Sequence, residues 1–172
     1  MENTTKKITL TLLSLLFILA SSFGNSKTPD TSCLQLSGKV LKLKTSSSNS
    51  YTVALMRDHK VVETKIIKGN REFKFNLKKN KIYIIQILKE GYVPRTVCID
   101  TKLDEEHDGL YSFEFDTELI DEIEAQKLNK EALEMPIAHI SFNAKKRWFS
   151  YNEEYTRQVK KNIYSGHVSL NK

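Results

Sequence analysis

Residues 82–100 read IYIIQILKEGYVPRTVCID, and the way this stretch divides decides the fold. Ile82 to Leu88 is apolar on both faces apart from Gln86, the pattern of a strand covered on each side. Glu90-Gly91 then turns the chain, with Gly91 expected at positive φ, a conformation only glycine adopts without a Cβ penalty. Tyr92 re-enters beside the turn, where its ring can lie over the end of the fold. Pro94 lacks an N–H and belongs where a strand is at an edge or not yet paired. Val93, Val97 and Ile99 follow in alternation, with Arg95 interrupting the apolar face.

The same punctuation runs upstream. Leu34, Leu36, Gly38 and Val40 alternate on one face of a first strand, and TSSSNS at 45–50 reads as a loop. Tyr51, Val53 and Leu55 carry a second strand, and Asp58-His59 a tight turn. Val62, Thr64 and Ile66 mark a third. Gly69-Asn70 is suited to a two-residue hairpin connection. Phe73, Phe75 and Leu77 alternate with Lys74 and Asn76, so the fourth strand has one wet face. Six short strands with turns at this spacing predict a mainly β chain folded as an antiparallel sandwich.

The segment from residue 104 on is less regular. Residues 104–109 (DEEHDG) form an acidic connector whose spacing matches no EF-hand. Tyr111, Phe113, Phe115 and Leu119 alternate as a seventh strand. Residues 120–134 show poor apolar periodicity and read as a loop with one or two helical turns. Ile137 to Phe142 is a short strand in which the single His139 reads as structural. A helix is expected at the end: Ser150 and Glu153 offer a capping box, Tyr151, Tyr155, Val159 and Ile163 repeat every four residues, and Gly166 is a natural stop. So short a helix needs a surface to pack on, and the sandwich supplies one. The domain reading is a signal peptide over 1–24, a flexible leader over 25–32, the sandwich over 33–103 and a C-terminal extension over 104–172 that packs on it. A separate second domain is the alternative.

The start carries the export features. Lys6 and Lys7 precede the apolar run ITLTLLSLLFILA, residues 8–20, and Ser22 and Gly24 are small residues at a cleavage spacing. The run is shorter than the roughly 20 residues of a membrane span, so no transmembrane segment is expected in the mature chain. Cys33 lies thirteen residues beyond Ala20, too far from the apolar run for a lipoprotein anchor. The protein is expected in the periplasm or outside the cell, with peripheral association to an outer membrane as an option.

The net charge of +6 raises the question of nucleic acid. Lys supplies 22 of the 27 basic residues and Arg only 5, whereas phosphate and base recognition favours the planar Arg fork. The lysines are also spread over strands and turns, so nucleic acid is excluded as the expected partner. Attraction to acidic envelope polysaccharide stays open.

The runs SGKV, VALMRD, FKFNL and YIIQILKEGYVPRTVCID resemble the carboxypeptidase-regulatory-like, or prealbumin-like, β-sandwich of Bacteroidetes envelope proteins. Gly38-Lys39-Val40 matches the G-x-V strand with which these domains begin. Phe73, Phe75 and Leu77 match an F-x-F-x-L strand, and Tyr83, Ile85, Ile87, Lys89, Gly91 and Tyr92 approximate the closing Y-x-I-x-I-x-K-x-G-Y. The resemblance covers roughly residues 34–103. It implies a fold and a cellular address, not an activity. The loop after the first strand, KLKTSSSNS, is degenerate, and no ligand site transfers to it.

Two cysteines, Cys33 and Cys98, remain after export, where disulfides are permitted. Both have the parity opposite to the inner-face residues. The resemblance implies that the first and last strands of the core are neighbours, so a Cys33–Cys98 bridge is within reach. Closing a loop of that size would stabilise the fold by about 4 kcal/mol. Two unpaired thiols are the alternative.

No catalytic motif is present: there is no HExxH, GxSxG, phosphate loop or dinucleotide fingerprint. The four histidines are far apart in sequence. The chain therefore reads as a non-enzyme that needs neither cofactor nor metal. Two functions remain. One is an envelope interaction or assembly module that docks a protein partner, with Trp148 and Tyr151 as candidate contacts. The other is a carbohydrate-binding module that uses an aromatic surface near Trp148. Burial of Trp148 would remove the second; Trp148 and Tyr151 exposed and coplanar would favour it.

Overall fold

A computed structural model of the chain describes residues 31–41, 50–104 and 106–165. The signal peptide, the leader as far as residue 30, the loop at 45–49 and the helix stop at Gly166 lie outside the described residues. Among the described residues nine strands form two sheets. The strands are β1 (Ser32–Leu41), β2 (Ser50–Arg57), β3 (Lys60–Lys68), β4 (Phe73–Lys78), β5 (Ile82–Leu88), β6 (Arg95–Asp100), β7 (Tyr111–Glu118), β8 (Ala138–Asn143) and β9 (Trp148–Tyr151). One sheet has the order β4-β1-β7 and the other β3-β2-β5-β6-β8-β9. They face each other as a sandwich and do not close into a barrel.

Alternation is what builds the core. Leu34, Leu36 and Val40 of β1, Phe73, Phe75 and Leu77 of β4, Ile85 and Ile87 of β5, and Val97 and Ile99 of β6 all point between the sheets and are buried. Gly38 allows the closest approach. A Cβ there would lie 2.8 Å from Phe73 Cζ and 2.9 Å from the Phe115 carbonyl oxygen. The turns follow the expected chemistry: Gly91 has φ 77°, Gly69 φ 65°, and Asp58 and His59 φ 52° and 60°. Pro94 immediately precedes β6, outside the ladder.

The turn between β4 and β5 is pinned from below. Thr101, fully buried, places its Oγ1 2.7 Å from the Lys78 carbonyl oxygen and 2.8 Å from that of Lys81. The same oxygen accepts from the Lys81 N–H at 2.9 Å. One side chain thus satisfies a bend in which Asn80 takes φ 58°.

Two of the pairings are parallel, β1 with β7 and β6 with β8. A parallel pair requires a long crossover. The one leading to β8 carries two short helices, α1 (Glu122–Ala125) and α2 (Lys130–Glu134), each N-capped by a side chain, Asp121 and Asn129. The C-terminal helix α3 (Glu153–Tyr164) packs with them. Ile120, Ala125, Leu128, Leu133, Val159 and Ile163 form a second, smaller core.

Several expectations change. β5 is central in its sheet, but among the described residues only one face is covered: Ile82 and Ile84 are exposed on the other. Ser150 caps no helix. It lies in β9, paired with Ser141, and the cap of α3 is Asn152, whose side chain accepts from the Tyr155 N–H at 3.0 Å. Tyr151 likewise belongs to β9, so the helical stripe starts at Tyr155. The strand β9 escaped notice because four residues show too little alternation.

Candidate functional site

Between the ends of the two sheets and α3 lies a cavity of about 530 Å³. Its floor is sandwich core, with Val97 from β6 and Phe115 and Thr117 from β7; its lid is Thr156, Val159, Ile163 and Tyr164 of α3. Arg95, the first residue of β6, lines it. The parity that turns Val97 and Ile99 inward also turns Arg95 inward, and it is only 8% exposed. Its Nε and Nη1 are buried without a hydrogen-bond partner among the described residues, as is the Thr156 Oγ1. Burial pushes the guanidinium below its ordinary value. Tyr164 opposes that shift only once its phenol is ionised.

Three acidic residues, Asp116, Glu118 and Glu124, also border the cavity. Asp116 pairs with Lys39 at 3.6 Å across the β1–β7 ladder. Tyr151 reaches the cavity as well, its phenol held above the ordinary value by burial and then by Asp116.

The sequence-derived site residues are dispersed. Cys33 does not face outward. An irregularity in the β1–β4 register between Ser32 and Leu34 lets Cys33 and Leu34 both enter the core, where the Cys33 thiol lies 3.9 Å from the Thr101 carbonyl oxygen. Cys98 is half-buried on β6, in the opposite sheet from β1 and with outward parity. The first and last strands of the predicted core are therefore not neighbours, and both thiols are unpaired. Burial raises both above the ordinary thiol value, with Asp100 adding to the effect at Cys98. Neither is an activated thiolate.

Trp148 is 53% exposed, but it shares no surface with Tyr151. Three residues apart on one strand, they point to opposite faces. Tyr151 turns inward and meets Phe113 edge-on at 5.1 Å. His139 rests against the Tyr155 ring at 4.1 Å, and the Tyr155 hydroxyl donates to the Pro136 carbonyl at 2.9 Å. Among the described residues no group of three or more His, Cys, Asp or Glu gathers as a metal site, and no helix is long and apolar enough to cross a membrane.

A second feature is the edge strand β3. It runs nine residues, pairs among the described residues only with β2, and leaves Val61, Val62 and Ile66 exposed, the last at 72%. Sequence reasoning found the strand but not its place at an edge, which depends on the pairing order. Arg95 did leave a signal, a charge at an inward position; Thr156 left none.

No family model and no curated protein matches the chain. Among solved structures, the crystal structure of S.CueP is similar, with 14% sequence identity over 50% of this chain and 60% of that one, and a TM-score of 0.35.

Proposed function

We propose that the protein is an exported, non-enzymatic interaction module of the cell envelope, related to the prealbumin-like sandwiches it resembles, and that it docks a protein partner by strand addition along β3. The observation that supports this reading is the character of that edge. An edge strand offers a row of unpaired backbone N–H and C=O groups, and natural sheets commonly blunt such edges with short strands, lysines, proline or inward charge. β9, the opposite edge of the same sheet, is blunt in this sense, with four residues. β3 is more than twice as long, contains no proline, and carries Val61, Val62 and Ile66 toward solvent. Lys60, Lys65 and Lys68 lie among them. They oppose pairing with a second copy of the same strand and leave a partner of complementary charge free to add.

The glycan reading has less support. A stacking platform needs neighbouring rings, and Trp148 stands without Tyr151 beside it.

Photo-crosslinking in cells tests the docking proposal. A photoreactive residue at Val62 or Ile66 is expected to give one dominant protein adduct by mass spectrometry of the envelope fraction, and the same residue at Trp148 is expected to give none. Equal labelling from all three positions, or no protein adduct from β3, refutes it. Elution of the protein with surface polysaccharide, lost on Trp148→Ala, would favour the glycan reading.

A further inference from the structure

The cavity beneath α3 is independent of the β3 edge and points to a ligand. A buried cation without a counter-charge is expensive: desolvation costs several kcal/mol even after relaxation, and a protein gains nothing from leaving it unpaired. Arg95 is in that position, with two of its nitrogens buried and unpartnered inside a cavity. Water could accept from those nitrogens, but it would not compensate the charge. The planar fork of Arg matches a carboxylate or phosphate in bidentate fashion. The unpartnered Thr156 hydroxyl lines the same space.

The surroundings choose between those two anions. Asp116, Glu118 and Glu124 on the cavity border disfavour a dianionic phosphate far more than a single negative charge. Lys160 is the second cation on the border, so the three carboxylates still outnumber the two cations. Val97, Phe115, Val159 and Ile163 give the cavity an apolar side that would leave a purely ionic ligand poorly covered. The volume lies within the range of small-molecule pockets, about 300–1,000 Å³. Tyr164, exposed on α3, marks a way in.

We propose that this cavity binds a small organic monocarboxylate, its carboxylate seated on the Arg95 guanidinium and the Thr156 hydroxyl, its apolar body against Val97, Phe115, Val159 and Ile163.

Isothermal titration calorimetry of the full chain tests this with three probes: octanoate, 1-octanol as its uncharged counterpart, and inorganic phosphate. Octanoate is expected to bind one per chain. Octanol should bind at least about tenfold more weakly, the value of a hydrogen-bonded charge, and phosphate should not bind measurably. Arg95→Met keeps the length of the side chain and removes the charge. It should lower octanoate affinity at least about tenfold while leaving the thermal midpoint unchanged or higher, because a buried unpaired charge is gone. Thr156→Val, on the surface-anchored helix, should weaken octanoate several-fold and keep the chain folded if the arginine variant does not. The proposal is overturned if octanoate does not bind, if octanol binds equally well, if phosphate binds more tightly than octanoate, or if folded Arg95→Met and Thr156→Val both bind octanoate as the parent does.

Discussion

Replacing Gly38 by alanine tests the packing of the sandwich, because two opposed effects predict opposite signs. Gly38 lies in β1 and is not among the glycines with positive φ, so its backbone suits any residue. In open space, alanine would stabilise such a site by about 0.4–1 kcal/mol through the unfolded chain. The site is not open. The new Cβ would stand 2.8 Å from Phe73 Cζ, 2.9 Å from the Phe115 carbonyl oxygen and 3.1 Å from Phe115 Cε1. The Phe73 ring is itself wedged between Phe75 at 5.9 Å and Phe115 at 5.8 Å, so it has little room to swing away. The carbonyl belongs to β7, paired with Gly38 itself, and moves only if the ladder moves. Overpacking of this kind costs about 1–3 kcal/mol, which outweighs the entropic gain. The expected net loss of about 1–2 kcal/mol lowers the thermal midpoint by roughly 2–8 °C for a domain of this size. Chemical denaturation followed by circular dichroism measures it. A companion variant sharpens the test. Phe73→Leu removes the Cζ atom, so Gly38→Ala together with Phe73→Leu should cost less than the sum of the two. The rescue is partial, since the Phe115 carbonyl remains. A Gly38→Ala protein as stable as the parent, or more so, refutes this account of the β1–β4–β7 packing.

Two further outcomes are expected. Thr101→Val is nearly isosteric but removes the hydroxyl that accepts from the Lys81 N–H and whose one proton lies within reach of the Lys78 and Lys81 carbonyls, of which the Lys81 carbonyl still accepts from the Thr101 N–H; it should destabilise by about 1–3 kcal/mol, read by urea unfolding, and Thr101→Ser should restore most of the loss. The thiols of Cys33 and Cys98 and the phenols of Tyr51, Tyr151 and Tyr155 are all held above their ordinary values, burial being the largest cause in each; stability from these groups is full below the unfolded-chain values and is lost as pH rises through the raised folded values, so the thermal midpoint should begin to fall near the ordinary thiol value of about pH 8.5 and fall further through the phenol range near about pH 10, and a midpoint flat to pH 11 would contradict the burial of these groups.

Strand identity was legible because alternation is a local property. Phe73, Phe75 and Leu77 declare an inner face whatever they pack against, and Gly69 and Gly91 declare turns that a side chain would strain. Partnership was not legible, because pairing joins residues far apart in the chain. The prediction that Cys33 could reach Cys98 assumed that β1 and β6 are neighbours. Their sheets are opposite, and a register irregularity turned Cys33 into the core besides. The doubly apolar β5 misled for a related reason: its outer residues Ile82 and Ile84 read as covered, yet among the described residues no layer lies over that face of the sheet. Ser150 and Glu153 fit a capping box by spacing alone, but Asn152 stands one residue before the helix with a side chain that does the same work, and Ser150 was committed to the β8–β9 ladder.

The least regular part of the sequence turns out to shape the cavity. Residues 120–134 have poor periodicity because they build two helices of four and five residues, each too short to show a stripe. Those helices are the crossover that the parallel β6–β8 pair demands. By joining Ile120, Leu128 and Leu133 to Val159 and Ile163, they hold α3 across the open end of the sandwich. The second core therefore stands beside the first instead of merging with it, and the space between them is left unfilled by side chains. Arg95 lies at that seam, at the first position of β6. There the inward parity of the strand still applies, and the side chain faces the cavity and not a closed core. A leucine at this position would close the seam and join the two cores. An arginine leaves it charged, at a cost in stability that the proposed carboxylate would offset. The interruption of the apolar pattern at residue 95 is thus tied to the fold on both sides of it, and the octanoate titration asks whether that interruption has a use.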